Sequence, residues 1–228
     1  MRLICGLLVM GCVLSASVLR AEDAPKPDKD GFYQLFDGKS LDGWKSADFY
    51  GAGKVRVEGG AILMPKGKLM TGATYTRGDF PKMDYEVTLE GKKVEGNDFF
   101  CTTTFPVGDA FCSLVVGGWS GPVVGLSSID YMDASENETR KDREFKAGRW
   151  YRVRIRVSRK QIEAWIDRDK VVDLDTTDRK ISIRGECAPC RPFGIATYET
   201  TGAVRDIRVR PLTEAEKKAP RETKTDKE

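Results

Sequence analysis

The sequence predicts an all-β chain folded as an antiparallel β-sandwich, and three observations carry that expectation. Met83-Asp-Tyr-Glu-Val-Thr-Leu-Glu90 alternates strictly, placing Met83, Tyr85, Val87 and Leu89 on one face, as a strand with one buried face requires. Tyr151 to Val157 repeats this with Val153, Ile155 and Val157 inward and Arg152, Arg154 and Arg156 outward, and Gln161 to Asp167 answers with Ile162, Ala164 and Ile166. No segment carries a convincing helical stripe. Instead, about a dozen short extended runs are separated by Gly- and Asp-rich turns.

The elements follow in order. Phe32-Tyr-Gln-Leu-Phe-Asp-Gly-Lys-Ser-Leu-Asp-Gly-Trp44 is a looped opening in which Asp37-Gly38 and Asp42-Gly43 form turns and Phe36, Leu41 and Trp44 serve as apolar anchors. Val55–Val57 and Ala61–Met64 are short strands. Asp98–Phe105 and Ala110–Val116 read as a pair around Pro106-Val-Gly-Asp109, and a loop of that length sets Cys101 opposite Cys112. Val123–Leu126 follows. A turn centred on Arg159-Lys160 pairs Arg156 with Glu163 and Arg154 with Trp165, contacts that favour this register by roughly 0.2–1 kcal/mol each. Lys170–Leu174, Ile181–Arg184, Pro192–Tyr198 and Val204–Val209 complete the set, and Trp44 and Trp150 read as core anchors at strand beginnings.

Around this domain the ends differ in composition. Arg2, the apolar run Leu3–Val18 and the small Ala21 read as a signal peptide over residues 1–21, which implies a periplasmic or extracellular protein. Val9-Met-Gly-Cys12 loosely imitates a lipoprotein signal, an alternative weakened by the apolar stretch that continues past Cys12. The run is too short for a membrane span, and no other segment qualifies. Residues 22–30 form a linker, 31–212 a single domain, and 213–228, charged and interrupted by Pro220, a disordered tail. Nothing in the pattern fixes an oligomeric state.

Charge and residue types exclude several functions. Lys and Arg number 38 against 35 Asp and Glu, and removing Arg2 and Arg20 with the signal leaves 36 against 35, a balance that argues against nucleic acid as a partner. Arg154, Arg156, Arg205, Arg208 and Arg210 read as a solvated outer sheet face. The chain has no histidine, which excludes Ser-His-Asp and Cys-His nucleophile systems. Proton transfer then falls to Asp, Glu, Tyr or Lys, and a metal would be an oxygen-bound, calcium-like cation. Cys101, Cys112, Cys187 and Cys190 are disulfide candidates in an exported protein, with Cys187-Ala-Pro-Cys190 either a structural loop or a redox pair.

One polar constellation stands out. Ser127 to Arg140 contains Asp130, Tyr131, Asp133, Asn137 and Glu138, and follows Gly117-Gly-Trp-Ser-Gly121. Asp130, Asp133 and Glu138 are candidate acid/base groups, with Asp130 and Asp133 also candidate calcium ligands. Tyr131 is a candidate proton donor, Trp119 a face for a sugar ring, and Asn137 a sugar contact. Trp165 is a second stacking candidate at the polar parity of its strand, although packing beneath Arg154 explains it equally well. Asp98, after Gly96-Asn97, is a third contact candidate and equally a turn residue.

The opening motif Phe32–Trp44, together with Phe193-Gly-Ile-Ala-Thr-Tyr198 and Val204-Arg-Asp-Ile-Arg-Val-Arg-Pro211, resembles the two ends of the 3-keto-disaccharide hydrolase domain family of secreted bacterial proteins. The resemblance implies a concanavalin A-like jelly roll over roughly residues 31–212 and a carbohydrate partner. It also implies cleavage of 3-keto-glycosides: a base removes the C2 proton acidified by the C3 ketone, the C1 substituent leaves, and water adds, with no redox cofactor required. A cation or hydrogen-bond donor beside the ketone would stabilise the enolate. On this chain Asp130, Asp133 or Glu138 would be the base and Tyr131 the leaving-group acid, while any role the family gives histidine is vacant. The alternative is a non-catalytic carbohydrate-binding or cell-surface module on the same architecture.

Overall fold

A computed structural model describes residues 26–218, so the signal-peptide and Cys12 readings lie outside the described residues. Fifteen strands run through them: β1 (Tyr33–Gln34), β2 (Trp44–Ser46), β3 (Arg56–Glu58), β4 (Ala61–Met64), β5 (Met70–Tyr75), β6 (Tyr85–Glu95), β7 (Thr102–Val107), β8 (Ala110–Gly118), β9 (Val123–Ser127), β10 (Lys141–Asp142), β11 (Trp150–Ser158), β12 (Gln161–Ile166), β13 (Asp169–Asp175), β14 (Gly194–Tyr198) and β15 (Thr201–Pro211). A 3-10 turn spans Gly185–Cys190, and α1 spans Glu214–Lys218. Among the described residues no helix is long and apolar enough to cross a membrane.

The strands form two stacked sheets. The first runs β13-β12-β11-β6-β15-β4-β3, with β1 also paired to β15, and the second runs β10-β9-β8-β7-β14-β5-β2. Alternation dictates the interior: Tyr85, Val87 and Leu89, Val153, Ile155 and Val157, and Ile162, Ala164 and Ile166 face Phe105, Leu114, Val116, Val124, Leu126 and Ile195 across one core. Burying each Leu-sized side chain contributes roughly 1.5–3 kcal/mol. The β11/β12 hairpin has the expected register, with Arg154 opposite Trp165 and Arg156 opposite Glu163. The opening loop is likewise pinned as its sequence suggests: Asp37 Oδ1 accepts from the Lys39 and Ser40 amides, and Trp44 Nε1 donates to the Leu35 carbonyl at 2.8 Å.

Four expectations are corrected. Gly108-Asp109 forms a two-residue turn between Val107 and Ala110, so Phe105, not Cys101, lies opposite Cys112. That register places Cys101 four residues from the Cys112 partner position, about 13 Å along the strand, out of bridging range. All four cysteines are free and buried. Trp150 is not a core anchor: it is half-buried, with Lys92 Nζ and Arg205 Cζ over its ring at 4.6 and 4.1 Å. Ile181–Arg184 forms no strand beyond the single bridge Ile129↔Ile181. The start of the supposed tail is helical, because Glu216 of α1 bonds Arg210 at 2.7 Å and docks the segment on the first sheet.

Candidate functional site

The second sheet turns a buried, hydroxyl-rich surface away from the core. With Phe105, Cys112, Leu114 and Leu126 inward, the outward parity brings Thr102 and Thr104 of β7, Ser113 and Val115 of β8 and Ser127 of β9 onto one surface. Thr102, Ser113, Val115 and Ser127 floor a cavity of about 310 Å³, which Met70, Asp98, Phe99, Trp119, Arg184, Glu186, Cys187 and Tyr198 complete. Thr104 and Ser113 share a hydrogen bond at 2.9 Å, and Ser127 Oγ accepts from the Ala134 amide at 2.9 Å. Thr102, only 1 % exposed, has no partner for its hydroxyl. A buried hydroxyl without a partner costs on the order of 1–3 kcal/mol, so a group supplied from the cavity would relieve it.

Local backbone geometry presents Trp119. A bulge at Val116/Gly118 ends the regular pairing of β8 with β9, and Trp119 and Ser120 then take left-handed φ values of 49° and 66°. Asp98 holds this turn: its Oδ2 accepts from the Ser120 amide at 2.8 Å and its Oδ1 from the Phe99 amide at 2.8 Å. Asp98 therefore positions Trp119, each of its carboxylate oxygens accepting a backbone amide. On the opposite wall Arg184 bonds Asp133 at 2.8 Å and Glu186 at 2.6 Å, and its guanidinium lies 6.0 Å from the Trp119 ring.

The acidic loop does not converge on this cavity. Asp130 accepts from Arg179 Nε at 2.6 Å and from the Lys180 amide at 2.7 Å, bonds that hold its carboxyl below the usual range, the backbone donor foremost. Glu138 pairs with the same Arg179. Asp133 is spent on Arg184 and on the Ser135 hydroxyl and amide. Tyr131, 74 % exposed, lies against Lys180. Asn137 is buried and structural: its Nδ2 donates to the carbonyls of Leu126, Met132 and Asp133, and its Oδ1 accepts from Thr139. The roles of base, proton donor and sugar contact assigned to these residues from sequence thus give way to arginine pairs and backbone bracing. Asp130 and Asp133 do not fit the calcium-ligand expectation either, since each faces an arginine. No group of three or more His, Cys, Asp or Glu is arranged to hold a metal among the described residues. Trp165 lies on the other sheet with Arg154 stacked 3.7 Å from its ring centre, so its face is taken.

A larger cavity of about 530 Å³ opens at one end of the sandwich beside the opening loop. Of its charged groups, Arg77 pairs with Asp42 at 2.6 Å, Asp37 accepts from the Ser40 hydroxyl at 2.8 Å and Arg210 bonds Glu216 at 2.7 Å. The smaller cavity, with an unmet hydroxyl and a partly exposed indole, is the stronger site. Sequence reasoning selected Trp119 and Asp98 but missed Thr102, Ser113, Ser127, Tyr198, Arg184 and Glu186. Their signal was hydroxyls at alternate positions of strands otherwise rich in β-branched and aromatic residues.

Two packed antiparallel sheets define this chain as a β-sandwich of the jelly-roll class. Within it, the chain belongs to the 3-keto-alpha-glucoside-1,2-lyase-like domain family, whose model matches residues 31–210. Several solved structures share the fold. The Crh5 transglycosylase in complex with NAG has a TM-score of 0.56 at 15% identity, over 83% of this chain and 87% of that one. A putative glycosyl hydrolase from Parabacteroides distasonis has 0.52 at 12%, over 81% and 95%. The carbohydrate binding module CBM66 from Bacillus subtilis has 0.51 at 8%, over 74% and 95%. No curated protein matches the chain.

Proposed function

We propose that this chain is an exported carbohydrate-binding member of its family, taking one sugar ring against the outer face of the second sheet. The unpartnered Thr102 hydroxyl on the cavity floor carries the reading. A sugar hydroxyl or ketone supplies the missing bond, and the partly exposed Trp119 offers a face for the ring. The cavity of about 310 Å³ lies at the small end of ligand sites, which suits a single ring rather than an extended chain. Family membership supports carbohydrate as the ligand class, and an oxidised glycoside is the natural candidate within it. The apolar Leu3–Val18 run supports export.

The second reading is elimination from a 3-keto-glycoside, favoured by the family match over 31–210 and by Glu186, the cavity-wall carboxylate that does not brace the Trp119 turn as Asp98 does. In that reading Glu186 removes the C2 proton, the electron pair forms the C1–C2 double bond as the C1–O bond breaks, and Tyr198 protonates the departing oxygen. Water then adds across the double bond. Arg184, 2.6 Å from Glu186, must release it first, which is why binding ranks above turnover.

Nitrophenol release from nitrophenyl 3-keto-glucoside by the purified protein separates the two, beside binding of the same compound followed by Trp119 emission. Binding without release supports the first reading. Release abolished by Glu186→Gln and untouched by Asp130→Asn/Asp133→Asn supports the second. Neither binding nor release of this or other mono- and disaccharides would contradict both.

A further inference from the structure

The four cysteines fall into two groups that the fold treats differently. Cys101 and Cys112 lie inside the sandwich core, in a register that keeps them apart. Cys187 and Cys190 lie on the opposite side of the second sheet, where the 3-10 turn Gly185–Cys190 crosses it and packs with Met70 and Ala196. Residues three apart in a 3-10 helix eclipse one another and sit about 6 Å apart along the axis, inside the 4.4–6.8 Å Cα separation that disulfides adopt.

The turn is held over β5 and β14 at its Cys190 end and against Ser113 at its Cys187 end. Thr74 donates to the Pro189 carbonyl at 2.9 Å, and Cys190 lies so close over β14 that a Cβ on Gly194 would stand 2.9 Å from the Cys190 Cβ. Cys187, by contrast, is part of the cavity wall with Ser113 and Ser127. Burial raises both thiols, Cys187 to about 11 and the more deeply buried Cys190 further, so Cys187 is the one that ionises first.

We propose that Cys187 and Cys190 form a thiol–disulfide exchange site whose oxidation reshapes the cavity. The oxidant is a disulfide of a small thiol or of a thiol oxidoreductase. The Cys187 thiolate attacks one sulfur of that disulfide and releases the first thiol; the Cys190 thiolate then attacks the Cys187 sulfur and releases the second. Two S–H bonds are lost, one intramolecular S–S bond forms, and the oxidant's disulfide becomes two thiols. Because Cys190 is fixed over Gly194, Cys187 makes the movement, and its sulfur leaves the cavity wall beside Ser113.

The test uses the full chain treated with oxidised glutathione, then alkylated under denaturing conditions and digested with trypsin. Cleavage does not occur before Pro192, so one peptide, 185–205, holds both cysteines and neither of the others. The expected result is that peptide lighter by two hydrogens and unalkylated, with Cys101 and Cys112 alkylated in full. Unreacted thiols in 185–205, a glutathione adduct that never closes, or a bridge to Cys101 or Cys112 would overturn the proposal. Cavity reshaping is read separately as acrylamide quenching of Trp119 emission, isolated against Trp119→Phe. Quenching should change at least twofold on oxidation and not at all in Cys187→Ala/Cys190→Ala, which can form neither the bridge nor the adduct; an unchanged value in the oxidised wild type would overturn the coupling to the cavity. Neither readout needs a sugar, so failure here is distinguishable from failure of the binding assignment.

Discussion

The two outer faces of this sandwich are both polar, yet the first is spanned by long paired charges and the second opens into a hydroxyl-lined cavity. On the first sheet Glu86, 3 % exposed, receives Arg156 at 2.8 Å and Arg210 at 3.3 Å, and Glu216 of α1 joins both arginines. Glu163 pairs Lys170 at 2.6 Å, Trp165 is capped by Arg154, and Trp150 by Arg205. On the second sheet the polar groups are small hydroxyls, one of them has no partner, and the neighbouring indole stays partly exposed. The difference teaches that polarity alone does not mark a binding face. Unmet bonding capacity beside a cavity does, because a ligand can reach it: Thr88 on the first sheet also lacks a partner for its hydroxyl but lines neither cavity.

The largest effect should come from breaking the closed face. Glu86→Ala leaves two arginines facing a buried gap and should cost about 3–5 kcal/mol in denaturant unfolding. Sugar affinity of the fraction still folded should hold, since the cavity lies on the other sheet. The reverse pattern is expected on the open face: Thr102→Val should leave stability unchanged or raise it by up to about 1 kcal/mol while weakening sugar binding about tenfold by titration. Trp119→Ala should weaken binding by a similar factor, whereas Trp165→Ala should leave it unchanged. A loss of affinity on removing Trp165 would break the comparison.

A smaller effect separates the faces by pH. Hydrogen bonds from Arg210, then from Thr213, hold the Glu216 carboxyl down at about 2 against an ordinary 4.5. A depressed folded-state pKa means that the contribution is complete above about 4.5 and lost as pH falls towards 2. Partial solvent exposure limits it to about 1–2 kcal/mol. Denaturant midpoints at pH 5 and pH 3 should therefore differ by more in the wild type than in Glu216→Gln. An equal drop in both would place the acid sensitivity elsewhere.

How much of this was legible in the sequence follows from the range of each signal. The strand faces and the β11/β12 register come from period-2 alternation and a short turn, both local, and were read correctly at Val153, Ile155 and Ile162. The Cys101–Cys112 pairing failed on register: a four-residue loop would set Thr103 opposite Cys112, and the two-residue turn that Gly108 makes with its φ of 65° sets Phe105 there. Trp119 was legible from its flanking glycines. Asp130, Asp133 and Glu138 looked catalytic because Arg179 and Arg184, some fifty residues on, reach them only after folding. Thr102 was invisible for the same reason: an unpartnered hydroxyl is defined by the partners it lacks in three dimensions.

The most direct test of the open-face assignment follows the four tryptophan indole N–H signals in a 15N-resolved NMR titration with nitrophenyl 3-keto-glucoside, assigned by single Trp→Phe variants. The account predicts a saturable shift of the Trp119 signal that Thr102→Val weakens, with Trp44, Trp150 and Trp165 unmoved. A shift centred on Trp150 or Trp165, or a Trp119 shift indifferent to Thr102→Val, would contradict it.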